Sequence, residues 1–205
     1  EMNTRLQVEH PVTEAVTGVD LVRAQLLVAG GGPLPWRQED LAQRGHAIEC
    51  RVYAEDPANG FLPQAGPLAL YREPSAPGVR IDSGVEEGAE VPVQYDPMLA
   101  KLIAYGATRD EARRRAAAAL RSFPILGVRT NVAFLAAVLE HRSFAAGDLH
   151  TGFVDEHLND LLRVPQPSSA VDAVAALVRS GSAATVSRPA ERVQDPWTTL
   201  GRWGR

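Results

Sequence analysis

The chain has 205 residues, 45% of them hydrophobic, a single cysteine and a formal net charge of −4. That is apolar material for one ordinary core with something left over, and the acidic balance argues against nucleic acid as a partner. One cysteine, Cys50, excludes an internal disulfide framework and fits a reducing cytoplasmic compartment, while no apolar run approaches the roughly 18–20 residues of a membrane span.

The opening stretch, EMNTRLQVEH, alternates. Its odd positions are Glu1, Asn3, Arg5, Gln7 and Glu9, all polar; the even positions Met2, Leu6 and Val8 are apolar and Thr4 is the exception. Period-two alternation predicts a half-buried β-strand. A strand that begins the chain needs ladder partners elsewhere, so a C-terminal piece of a longer polypeptide is expected.

His10-Pro11 should end that ladder, since proline has no N–H to donate. Val16, Val19, Val22, Leu26 and Leu27 then recur at helical spacing, predicting one helix over 13–30 that stops at Gly30-Gly31-Gly32-Pro33. A polar connection follows over 34–45. HAIECRVYAE alternates again, with Ile48, Cys50 and Val52 on a core face and Glu49, Arg51 and Tyr53 on a polar one. After the turn-rich DPANGFLPQAGP, strand-like runs at 67–72, 78–82, 90–94 and 99–105 predict an antiparallel meander. Thr108-Arg109-Asp110-Glu111 carries a capping-box signature. The helix it starts has Ala112, Ala116, Ala119 and Leu120 inward, and Arg113-Arg114-Arg115 as a solvated face. A second helix over 131–141 puts Val132, Leu135 and Leu139 on one stripe. From Val164 the composition turns rich in Pro, Ser and Ala, and the last residues look like the first strand of another domain. The fold class expected is α+β: an antiparallel sheet with flanking helices, followed by a linker.

Three constellations have chemical potential. Same-face neighbours on a strand lie about 6.6–7 Å apart. Glu1 with Asn3 can reach one hard cation, which prefers oxygen ligands. Arg5 with Gln7 can hold a small planar oxyanion through the guanidinium fork. Glu9 can accept a proton from what Arg5 holds. A solvated strand with alternating charges has the same pattern. Arg51, on an inner strand, is costly unless paired with a carboxylate such as Glu49 or used on an anion. Tyr95 and Asp96, before Pro97, are placed to line a pocket mouth. His46 and Cys50 lack any completing ligands for zinc.

These segments resemble the biotin carboxylase component of biotin-dependent carboxylases, an ATP-grasp family. The resemblance runs through EMNTRLQVEHPVTE, GVDLVRAQL, RGHAIECRVYAEDP, YDPMLAKLI and GVRTNVAFL, and spans residues 1 to about 158. It implies a biotin carboxylase C-terminal lobe over 1–160, including the end of the ATP-grasp domain, a linker over 161–192, and the start of a following carboxylase domain over 193–205. It implies that Glu1, with Asn3, binds the Mg²⁺ or Mn²⁺ on ATP. Arg5, Gln7 and the backbone of Val8 hold bicarbonate, Glu9 is the base that deprotonates it, and Arg51 stabilises the biotin enolate. The implied reaction is ATP- and bicarbonate-dependent carboxylation of biotin via carboxyphosphate, within an acetyl-, propionyl- or methylcrotonyl-type acyl-CoA carboxylase.

The implied partners are a second copy of the lobe, a biotin carboxyl carrier domain and a carboxyltransferase β subunit. The resemblance places the family's nucleotide-gripping loop before this segment and its biotinyl lysine after it, so the segment alone is expected to be inactive. Lys101, in LAKLI, has the wrong context for that lysine. Two other readings are a carboxylate–amine ligase of the ATP-grasp type and a non-catalytic dimerisation module.

Overall fold

The computed structural model describes residues 2–163 and the single position 176; what is expected of the rest of the linker and of 193–205 lies outside them. The first compact unit is Glu1–Val164. Its elements, in order, are α1 (His10–Thr17), α2 (Leu21–Ala29), β1 (His46–Tyr53), β2 (Glu55–Asp56), β3 (Leu62–Pro63), β4 (Gly66–Pro67), β5 (Leu70–Tyr71), β6 (Val79–Ser83), β7 (Glu90–Val91), β8 (Met98–Gly106), α3 (Arg109–Arg121), β9 (Ile125–Leu126), α4 (Val132–Glu140), α5 (Arg142–Ala146) and α6 (Phe153–Leu161).

The central sheet has the antiparallel order β1-β8-β6, so the α+β architecture with flanking helices holds. The meander does not. The first strand pairs with the last long one, across about fifty residues, with Arg51 opposite Lys101 and Cys50 opposite Leu102; on the other side of β8, Asp82 stands opposite Lys101. The runs between them reduce to two-residue ladders, β4 with β7 and β5 with β9. Pro63, Pro67, Pro74, Pro77 and Pro92 punctuate this stretch, and each removes a donor that a longer ladder would need.

The two faces of the sheet differ. One carries Cys50, Val52, Ala100, Leu102 and Ala104, packed on Ala116, Ala119 and Leu120 of α3. A face of alanines lets the helix approach closely, and each fully buried leucine contributes about 2 kcal/mol. Thr108 caps α3 by accepting the Glu111 N–H. The reciprocal bond is displaced by one residue: the Glu111 carboxylate accepts from Ala107 N–H, not from the cap's own N–H. The other face carries Glu49, Arg51, Lys101 and Ile103 and lies under α1.

The single helix expected over 13–30 is two. Helix α1 starts three residues earlier with proline in its first turn, where the missing donor costs nothing. Gly18, at φ +75°, ends it, and the Asp20 side chain caps α2 by accepting from Arg23 N–H. The apolar stripe expected on this stretch is largely outward: Leu26, Leu27 and Val28 are exposed and only Ala24 of α2 is buried.

Candidate active site

The predicted opening strand is absent. Residues 2–8 pair with no strand among the described residues and instead turn on themselves: Arg5 N–H donates to Asn3 O at 2.9 Å, and the Gln7 amide donates to the same carbonyl at 2.8 Å. A ladder needs a neighbour with free backbone groups, and none of the sheet strands offers one here. Asn3 and Arg5 are exposed and Gln7 is half-buried, clustered by the turn and not spread along a strand face. Glu1 lies outside the described residues.

Val8 and Glu9 form the turn into α1, and two contacts seat it on the sheet. Lys101 Nζ donates to the Val8 carbonyl at 3.1 Å and sits 3.4 Å from Asp82. Arg51 Nη2 donates to Glu9 Oε2 at 2.8 Å. The base and the enolate-stabilising arginine expected from sequence are therefore one ion pair. Lys101 stands out in the sequence only as a residue unsuited to carry biotin. Its signal, a lone lysine opposite Arg51 on a strand with apolar neighbours, is legible only once the β1–β8 register is known.

Arg51 is held from behind as well. Asn131, a buried side chain at the start of α4, donates from Nδ2 to the Arg51 carbonyl at 3.1 Å and accepts from Tyr53 N–H at 2.9 Å, and its own N–H reaches Tyr53 O. This brackets the bulge between Val52 and Tyr53 and fixes the strand beneath the guanidinium. Asp96 accepts from Met98 N–H, capping the approach to β8, and Tyr95 is exposed beside it.

Glu49 departs most from expectation. Its side chain is only 5% exposed, under α1, and neither carboxylate oxygen has a hydrogen-bond partner among the described residues. Its Oε1 lies 4.0 Å from Arg51 Nε, too long for a hydrogen bond. Burial pushes its pKa up, against the pull of Lys101 and Arg51. Across β8, burial also pushes Asp82 up, but the Arg80 hydrogen bonds and the charges of Arg80 and Lys101 outweigh it and hold that carboxyl below its usual range. Cys50, facing α3, is buried with its thiol pushed up to about 12, first by burial and then by Glu49, which leaves it inert.

Among the described residues no cluster of three His, Cys, Asp or Glu side chains could hold a metal. A hard cation takes about six oxygens, so Glu1 and Asn3 fit as two donors of a set completed by phosphate or other oxygens, and as nothing more. Nor is any helix here long and apolar enough to cross a membrane.

Residues 49–156 match the family described as biotin carboxylase C-terminal domain, and residues 1–37 match the carbamoyl-phosphate synthase L chain ATP-binding domain. The alpha chain of rat mitochondrial methylcrotonoyl-CoA carboxylase is 50% identical over 163 residues, covering 79% of this chain and 23% of the relative. The human mitochondrial propionyl-CoA carboxylase alpha chain is 51% identical over 158 residues, covering 76% and 22%. Among solved structures, the biotin carboxylase domain of Hydrogenobacter thermophilus 2-oxoglutarate carboxylase, a dimer in complex with MgADP, ADP and bicarbonate, superposes with a TM-score of 0.78 at 39% identity. It covers 80% of this chain and 36% of its own. The biotin carboxylase subunit of a pyruvate carboxylase gives 0.79 at 42%, covering 81% and 37%. The chain thus spans about a quarter of the length of these curated relatives. With more than half its length inside one family's match and the same fold in the solved relatives, the chain belongs to the biotin carboxylase C-terminal domain family.

Proposed function

We propose that this chain forms the bicarbonate and biotin side of a biotin carboxylase active site, within a polypeptide that carboxylates biotin using ATP and bicarbonate. The observation that carries the reading is the Glu9–Arg51 pair, which joins the turn after the bicarbonate motif to the strand expected to face biotin.

In this reading Arg5, Gln7 and the Val8 backbone hold bicarbonate beside Glu9. Arg5 favours the more negative form of the bound anion, because an adjacent opposite charge stabilises the ionised state. Glu9 takes the proton from the bicarbonate hydroxyl. The resulting carbonate attacks the γ-phosphate of ATP, giving carboxyphosphate, and CO₂ released from it is captured by the ureido nitrogen of biotin. Arg51 offsets the negative charge that develops on the ureido oxygen. Glu1 and Asn3 would hold a Mg²⁺ or Mn²⁺ ion, which when bound neutralises phosphate charge.

The partners that follow from this reading are a second copy of this lobe, the carrier presenting biotin and a carboxyltransferase β subunit. A linker over 161–192 and a further domain from 193 extend it. The acyl-CoA class of carboxylases is supported by the methylcrotonoyl- and propionyl-CoA carboxylase alpha chains among the relatives. The single buried cysteine fits a reducing, cytoplasmic setting.

The test is Glu9→Gln in the complete biotin carboxylase that contains this segment. Bicarbonate-dependent ADP release should fall by about 10²–10⁴-fold, and ADP release at the parent rate would overturn the assignment.

A further inference from the structure

We propose that Glu49 is a positioning residue for Arg51: its buried carboxylate is the second acceptor that keeps the guanidinium on β1 when Glu9 gives it up. The proposal rests on the roles given above to Glu9 and Arg51.

Four observations lead there. Arg51 lies between two carboxylates, bonded to Glu9 at 2.8 Å through Nη2 and 4.0 Å from Glu49 through Nε. Glu9 is well exposed, whereas Glu49 is buried with both oxygens unpartnered among the described residues. The groups facing Glu49 are Glu9 and His10 from the start of α1, Arg51 on its own strand and Lys101 on β8. Of the two fixed cations, Lys101 is already committed to the Val8 carbonyl and to Asp82, which leaves Arg51 as the one able to move.

A buried carboxylate without a hydrogen bond is unfavourable, and a short movement of Arg51 relieves it. What drives that movement is the chemistry at Glu9. Once Glu9 has taken the proton from bicarbonate it is neutral, and its attraction for the guanidinium drops. Glu49 is then the nearest anion. Arg51 closes onto it through Nε, and the outer Nη groups, no longer bound to Glu9, face the ureido oxygen. Without Glu49, nothing on β1 retains the guanidinium after the first proton transfer.

The experiment uses the complete carboxylase carrying this segment, with Glu49→Gln and Glu49→Asp. It measures bicarbonate-dependent ATP cleavage without biotin and carboxylation of free biotin as separate rates. For Glu49→Gln the kcat for biotin carboxylation should fall about tenfold to a hundredfold, as expected when a reacting group is misplaced by around an ångström. ATP cleavage without biotin should stay within about twofold of the parent, and Glu49→Asp should recover part of the loss. Combining Glu49→Gln with Arg51→Lys should cost no more than Arg51→Lys alone, a comparison that also holds if the glutamine variant is less stable. Equal losses in the two rates, or additive losses in the double variant, overturn the proposal and make Glu49 a structural residue. The Glu9 reading fails separately, by retention of ATP cleavage in Glu9→Gln.

Discussion

The Glu9 carboxylate and the Arg51 guanidinium meet at 2.8 Å although 42 positions separate them in sequence. Both are substantially exposed, 59% and 42%, so the pair adds little to stability: about 0–1 kcal/mol. Its location, between a loop that carries an anion motif and the edge strand of the sheet, points to chemistry. Arg51→Lys should therefore separate the two. The ammonium keeps the charge but loses the planar fork that reaches both Glu9 and Glu49. Biotin carboxylation should fall about 10²-fold or more, with thermal unfolding within a few degrees of the parent. A matching collapse in Tm would mean that the pair is structural.

Lys101 ties the same loop to the sheet from the opposite side. Lys101→Met removes the donor to Val8 O and the partner of Asp82 while keeping the buried stem packed. The expected cost is about 1–3 kcal/mol in urea unfolding, together with a rise in the KM for bicarbonate, because the backbone of Val8 is no longer held. An unchanged KM would disconnect Lys101 from the bicarbonate loop.

The regular parts of this lobe are legible in the sequence because their patterns report packing. In β1 and β8 the apolar positions face α3, and the α3 alanine stripe is buried as spaced. The opening segment misleads because its alternation reflects side chains chosen for a site, and polarity with period two does not by itself supply a ladder partner. Glu49 misleads for a related reason. On a strand its polarity looks like a wet face, and only the position of α1 over β1, separated from it by a long irregular stretch, makes that face dry. Gly18 and Asp20, by contrast, mark the break between α1 and α2 in plain sight: a left-handed cap followed by an N-cap.

Asn131 makes a prediction about that packing. Its amide satisfies Arg51 O and Tyr53 N–H at once, in a buried position. Asn131→Ala leaves both backbone groups without partners and should cost about 2–4 kcal/mol, seen as a lower urea midpoint with an unchanged slope. Asn131→Asp retains the acceptor for Tyr53 but places a second acceptor against Arg51 O, so it should not rescue.

The acid groups on the α1 face predict opposite pH responses. Glu49 has a folded pKa raised above its usual value of 4.5, chiefly by burial. As pH rises through that range the unfolded chain loses its proton first, so the native state binds more protons and this group's contribution to stability falls. The Tm of Glu49→Gln relative to the parent should therefore climb from pH 4 towards neutrality. Asp82 has a folded pKa below its usual 3.8. Its contribution is present above 3.8 and is lost as pH falls through the lowered value, so Asp82→Asn should cost stability at neutral pH and progressively less below pH 4. Parallel pH profiles for the two variants would contradict the opposite environments of these carboxylates.

Gly127 sits between β9 and α4 at φ +114°, a backbone region that side chains rarely adopt. A Cβ built there would collide with the Pro67 carbonyl oxygen and stand 2.9 Å from Ala69 N. Those atoms are backbone of the β4–β5 segment, where Ala69 N–H is bonded to Leu126 O, so neither can yield without breaking that link. Gly127→Ala should cost about 3 kcal/mol or more, from the strained dihedral and the collision together. Gly88, at φ +86° with open space around its missing Cβ, supplies the control: Gly88→Ala bears the dihedral cost alone, about 1–2 kcal/mol. Equal losses in the two variants would show that the approach of Gly127 to Pro67 contributes nothing beyond backbone conformation.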